Sequence, residues 1–130
     1  MSFLKTLSFL ALFLTINVVK AQSNQKIDCK ILKEIKMKYV DDTDRTVYII
    51  IKANKHIEHL ETDKYYIKSD LEWVSDCEYN ATMTEITLPN FPFKPGEVMN
   101  VKFERIENGF VFATGSVRGN SFPVNFEIIK

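Results

Sequence analysis

No run of five or more lysines and arginines occurs in the 130 residues, and basic and acidic side chains balance at 17 each. A phosphate backbone is held by a basic patch or stripe, so nucleic acid is a poor partner for this chain. Histidine is scarce, with only His56 and His59. Together with Glu58 and Glu61 they fall short of a zinc signature, which needs three or four ligands at tetrahedral spacing. The plainer reading is a solvated strand end, with His56 and Glu58 on one face and His59 on the other. There is no G-x-S-x-G elbow to present a nucleophilic serine. Asp41, Asp42 and Asp44 offer carboxylates to calcium, but the loop glycine and closing glutamate of an EF-hand are missing. Asp70 and Glu72 sit at polar positions of an alternating stretch, where acids are ordinarily solvated, and carboxylate catalysis needs a desolvated one. No catalytic, cofactor-binding or metal-binding residue is therefore assigned, and no cofactor is expected.

Long apolar runs are also absent. The longest spans roughly 7–19, short of the ~20 residues that cross a bilayer. It follows Lys5 and ends at Val19 and Ala21, the minus-three and minus-one positions before Gln22. This is the layout of a signal peptide, and 1–21 is expected to be a leader helix that is removed. The mature chain, 22–130, would be one domain of 109 residues. Loss of Lys5 and Lys20 leaves 15 basic against 17 acidic residues, a net charge of −2. The compartment expected is the periplasm or the outside of the cell, with no stable membrane span after cleavage.

Only two cysteines are present, Cys29 and Cys77. In an exported protein such a pair is usually oxidised, the alternative being two buried thiols.

What the chain does have is period-two alternation. In DLEWVSDCEYNATM (70–83) the odd positions include Leu71, Trp73, Cys77, Tyr79, Ala81 and Met83, while acids and amides dominate the even ones. Similar alternation marks Cys29, Ile31, Ile35, Met37 and Tyr39. The 47–51 run is continuously apolar and suggests a strand buried on both faces. The odd phase from Tyr65 to Met83 outlasts a typical strand, so it is either one long bent strand or, the reading favoured here, a hairpin whose loop has an odd number of residues. A three-residue tip at 74–76 would set Trp73 opposite Cys77 and Leu71 opposite Tyr79, with Trp73 and Tyr79 as core anchors. The phase switches near 83–86, which an inserted residue would produce. LPNFPFKPG (88–96), with three of the four prolines, is excluded from a central strand. Asn108-Gly109 marks a hairpin turn, and Pro123 an edge or bulge.

The sum is an all-β fold: a single antiparallel domain of about eight short strands, as a flattened up-and-down barrel or a sandwich. In a regular barrel the first and fifth strands lie across from each other, too far for a disulfide. A flattened barrel, a sandwich, or an N-terminal segment folded over an open end would reconcile the two.

Cys29, Glu58, Tyr65, Trp73, the DCEY run at 76–79, Pro89 and Gly96 resemble the shared features of a family of small exported bacterial proteins with a W-x-S-D-C-E-Y motif. The resemblance runs from Cys29 to the C-terminus. It implies an exported all-β protein and no established activity. Some relatives carry a topoisomerase label, which the absence of a basic strand-binding surface argues against. The function expected is a non-enzymatic binding or interaction module for an apolar small molecule or an envelope protein, with a lipocalin-like interior as the physical model. A small secreted hydrolase and a structural envelope component are the alternatives. Phe91 and Phe93, stiffened by prolines, would be either a contact loop or a plug for one end of the fold.

Overall fold

The computed structural model describes residues 27–40 and 47–129. The leader and the aspartate turn at 41–44, with its calcium alternative, lie outside those residues. A 3₁₀ helix at Lys30–Lys33 precedes eight strands: β1 (Ile35–Tyr39), β2 (Tyr48–Lys52), β3 (Lys55–Leu60), β4 (Tyr65–Ser75), β5 (Glu78–Ile86), β6 (Val98–Glu107), β7 (Phe110–Val117) and β8 (Asn120–Ile129). Each strand pairs antiparallel with the next, and β8 closes onto β1, with Met37 opposite Ile128. The fold is a closed eight-stranded up-and-down barrel. Closure removes the exposed sheet edges that a sandwich would have to protect.

Alternation decides which side chains face inward. Met37, Ile49, Ile51, Ile67, Leu71, Tyr79, Ala81, Val101, Phe103, Val111, Ala113 and Phe126 are buried. The 47–51 run is not buried on both faces: Tyr48 and Ile50 point outward and are half-exposed while Ile49 and Ile51 are fully covered. On β7 the small residues Ala113 and Gly115 face in, and Phe110 and Phe112 face out. An eight-stranded interior is narrow, and small side chains on one strand make room for Phe122, Val124 and Phe126 on the next.

Bulges keep the alternation in phase. Lys68 pairs with Glu85 and Ser69 with Met83, so Thr84 is the extra residue that shifts the phase near 83–86. The β4–β5 turn differs from the expected one. Ser75 pairs with Glu78 across a two-residue turn, and a bulge at Val74 restores the parity that such a turn would reverse. Trp73 therefore faces Tyr79, and Leu71 faces Ala81, a register two residues away from the expected pairing. Asn108 and Gly109 adopt φ of 53° and 82°, as a tight hairpin requires. Pro123 pairs with Thr114 on β7 but lies beyond the stretch where β1 pairs with β8, so its missing N–H breaks no ladder.

The N-terminal segment is not a continuation of β1. The expected alternation through Cys29 and Ile31 fails: Leu32 is 0 % exposed and Ile31 49 %. The 3₁₀ turn carries Cys29 and Leu32 into the barrel end. There Cys29 bonds to Cys77, with the two Cα atoms 5.3 Å apart. Cys77 itself sits in the β4–β5 turn rather than on a strand. Lys33 Nζ lies 4.9 Å over the Trp73 ring, and Trp73 stands edge-on to Tyr79. One end of the barrel is thus plugged and stapled. The other end, the loop end, carries the β3–β4 turn, the proline-rich loop between β5 and β6, and the β7–β8 turn. A disulfide of this kind persists in an oxidising compartment outside the cytoplasm. Among the described residues no helix is long and apolar enough to cross a membrane.

Candidate functional site: a cavity at the loop end

Core side chains fill the plugged half. Toward the loop end a partly open cavity of about 110 Å³ remains. Its floor and one wall are polar: His56, Glu58, Ser69 and Tyr79. Its other walls are apolar, with Met83, Met99 and Val124 beside the aromatic rings of Tyr39, Phe91, Phe122 and Phe126.

The polar wall follows from register. Ile51 pairs with His56 and Ile49 with Glu58, and both isoleucines are inward. His56 and Glu58 must share that face. Across β3 and β4, His56 meets Ser69 and Glu58 meets Ile67. The expected solvated strand end is therefore corrected for these two: they point into the barrel, and only His59 faces out, stacked on Tyr48 with ring centroids 4.6 Å apart. The alternation had placed His56 and Glu58 on one face. What the sequence withheld was which face, because HIEHL sets His56, Glu58 and Leu60 on one side and Ile57 and His59 on the other, so neither side is plainly the apolar one.

His56 Nδ1 and Tyr79 Oη are 2.9 Å apart and hydrogen-bonded. Burial holds the His56 imidazole at a pKa of about 4, so it is neutral near pH 7. Burial, and then the charge of Glu58, raises the Tyr79 phenol above its ordinary value. The pair is thus a neutral hydrogen-bonded unit, and an apolar surround penalises any charge placed on it. Tyr79 also joins the two halves of the interior. Its ring packs edge-on against Trp73 and Phe103, with centroids 5.1 and 5.5 Å away, while its hydroxyl reaches the cavity floor. Of the two expected core anchors, Tyr79 is fully buried and Trp73 half-buried.

The proline-rich loop is pinned over the loop end. Gly96 N–H donates to the Met83 carbonyl at 2.8 Å, and Met83 N–H donates to the Glu97 carbonyl at 3.0 Å. Lys94 N–H caps Glu97 Oε2 at 2.6 Å. Arg118 pairs with the Glu97 carboxylate through Nε and Nη2 and lies 4.9 Å over the Phe93 ring. This contact holds the Glu97 carboxyl below its usual range. Phe93 packs edge-on against Phe91 at 5.6 Å, and Phe91 lines the cavity. Both rings are half-buried. Asp70, by contrast, pairs with Lys55 on the outer surface, and Glu72 is exposed there too.

The cysteines lie at the opposite end from this cavity and serve the plug. The chain matches no protein-family model, no curated protein and no solved structure.

Proposed function

We propose that this protein is an exported, periplasmic or secreted binding module that takes a compact small molecule, or the end of a longer one, into the loop-end cavity. The observation that carries the reading is the asymmetry of the interior. One half is packed, plugged and covalently stapled, while the other keeps a partly open space beneath a pinned loop. A void in an otherwise close-packed core costs dispersion contacts, so an unfilled cavity is an expense that a ligand offsets. Drug-sized ligands need roughly 300 Å³ or more. The present 110 Å³ suits a much smaller group.

A small hydrolase is the second reading. The side-by-side placement of His56, Glu58 and Ser69 on the cavity wall favours it. Against it, a histidine kept neutral to about pH 4 is a poor general base near neutrality, since a catalytic pKa works best near the operating pH.

Native mass spectrometry of the oxidised chain, recovered after export by its own host, tests the reading. The expected result is a non-covalent adduct that is lost on denaturation. A bare chain that also takes up no small hydrophobic probe would count against a binding role, and turnover of ester or amide substrates would favour the hydrolase.

A further inference from the structure

We infer that the loop-end cavity takes a compact, mostly apolar molecule by an accepting oxygen, such as that of a ketone or an amide, held by His56 Nε2–H and Ser69 Oγ–H. This rests on the binding reading above and names the chemistry of the ligand.

Register brings the two groups together. His56 on β3 and Ser69 on β4 are direct cross-strand partners, and both line the cavity, so their side chains share the inner face. Cβ atoms of such partners stand about 4.5–5.5 Å apart, close enough for two donors to meet on one oxygen. Among the described residues, the His56 ring makes one hydrogen bond, from Nδ1 to Tyr79, and Ser69 Oγ makes none. Yet no side-chain nitrogen or oxygen among those residues is both fully covered and without a partner. His56 Nε2 and Ser69 Oγ therefore reach open space, and the space that both residues border is the cavity. Tyr39 and Glu58 have partners of their own, and neither is assigned a part in holding the ligand.

The Tyr79 bond selects the tautomer. The imidazole is neutral near pH 7 and carries a single ring proton. The phenol O–H donates to Nδ1, its bonded neighbour, which leaves the ring proton on Nε2. The opposite arrangement would deny the buried phenol proton its acceptor, at the cost of an unmade hydrogen bond. Beyond the two donors, Met83, Met99, Phe122 and Phe126 offer an apolar lining to the rest of the molecule. A cavity of about 150 Å³ is enough for benzene. The 110 Å³ here, open on one side, suits a small ring with its far edge at the opening.

The test is NMR titration with two probes of one shape: cyclopentanone and methylenecyclopentane, in which a CH₂ group replaces the oxygen. The ketone gives up hydration that the alkene never had, so a wall without donors would favour the alkene. With both donors in place the ketone should bind at least as tightly as the alkene, and the His56 Nε2–H signal should shift as the ketone saturates. Before any probe is added, the nitrogen-15 spectrum near neutral pH should show His56 protonated at Nε2. Ser69→Ala should move the ketone-to-alkene affinity ratio toward the alkene by roughly twofold to tenfold, the worth of one hydrogen bond. Should that variant fail to fold, the wild-type titrations and the nitrogen-15 spectrum still decide. A His56 proton on Nδ1, tighter binding of the alkene to the wild type, or a ratio unmoved by Ser69→Ala would overturn the two-donor assignment while leaving the cavity as a binding site. Silence from both probes and from a hydrophobic dye would overturn both.

Discussion

His56 shows how much one residue's orientation matters. Its pKa of about 4 lies below the ordinary 6.5 because the imidazole is buried. Above pH 6.5 both the folded and the unfolded chain carry it neutral. Between 6.5 and 4 only the unfolded chain takes the proton, so stability falls as pH drops through that window and levels off below it. The loss between pH 7 and pH 5 is about 2 kcal/mol, and somewhat less because the ring keeps some accessible surface. Urea denaturation at the two pH values should show His56→Gln losing less stability than the wild type by roughly that amount. Equal losses would place the ring in solvent. The same residue marks a limit of sequence reading. His56 and Glu58 share a face by strand parity alone, but only the pairing with Ile51 and Ile49 turns that face inward. Such long-range register is not written in HIEHL.

At the scale of elements, the plug and β7 carry the sharpest expectations. The disulfide closes a separation of 48 residues, for which the chain-entropy model gives about 4 kcal/mol. Replacing both cysteines with serine should lower the free energy of unfolding by about that much, measured by urea titration. A loss under about 1 kcal/mol would mean that Leu32 and its neighbours hold the plug unaided. Gly115 on β7 is a separate matter. A Cβ there would lie 2.9 Å from the Phe122 ring and 3.1 Å from a Val124 methyl. Gly115→Ala should displace the Phe122 ring from the cavity wall and destabilise by about 1–3 kcal/mol, as overpacking does. Thermal unfolding would record it, and an unchanged Tm would show that the ring swings aside freely. The elements themselves were largely legible: the Asn108-Gly109 turn, the extra residue near 83–86 and the proline-rich loop all stand where alternation and turn chemistry put them. The 3₁₀ turn was hidden because Cys29 and Ile31 continue the period of β1, and only the reach to Cys77 breaks it. The β4–β5 register was hidden because a two-residue turn with a bulge has the same parity as a three-residue turn.

For the whole molecule, an all-β fold followed from period-two patterning and short connections, whereas closure of β8 onto β1 is a matter of shape that no local pattern carries. The conflict between a barrel and the Cys29–Cys77 bond resolves through the N-terminal segment that crosses one end. The cavity was invisible in the sequence for a related reason. It is what remains when one end is filled and the other is covered only by a loop. Methionine-methyl NMR tests this division directly. Met83 and Met99 line the cavity, while Met37 is fully buried in the packed core. On titration with a small hydrophobic probe such as 3,3-dimethylbutan-1-ol, the account predicts saturable shifts of the Met83 and Met99 methyls with Met37 nearly still. Methyls that stay unmoved throughout, or a Met37 signal that moves as far as the other two, would contradict a barrel with one packed half and one receptive half.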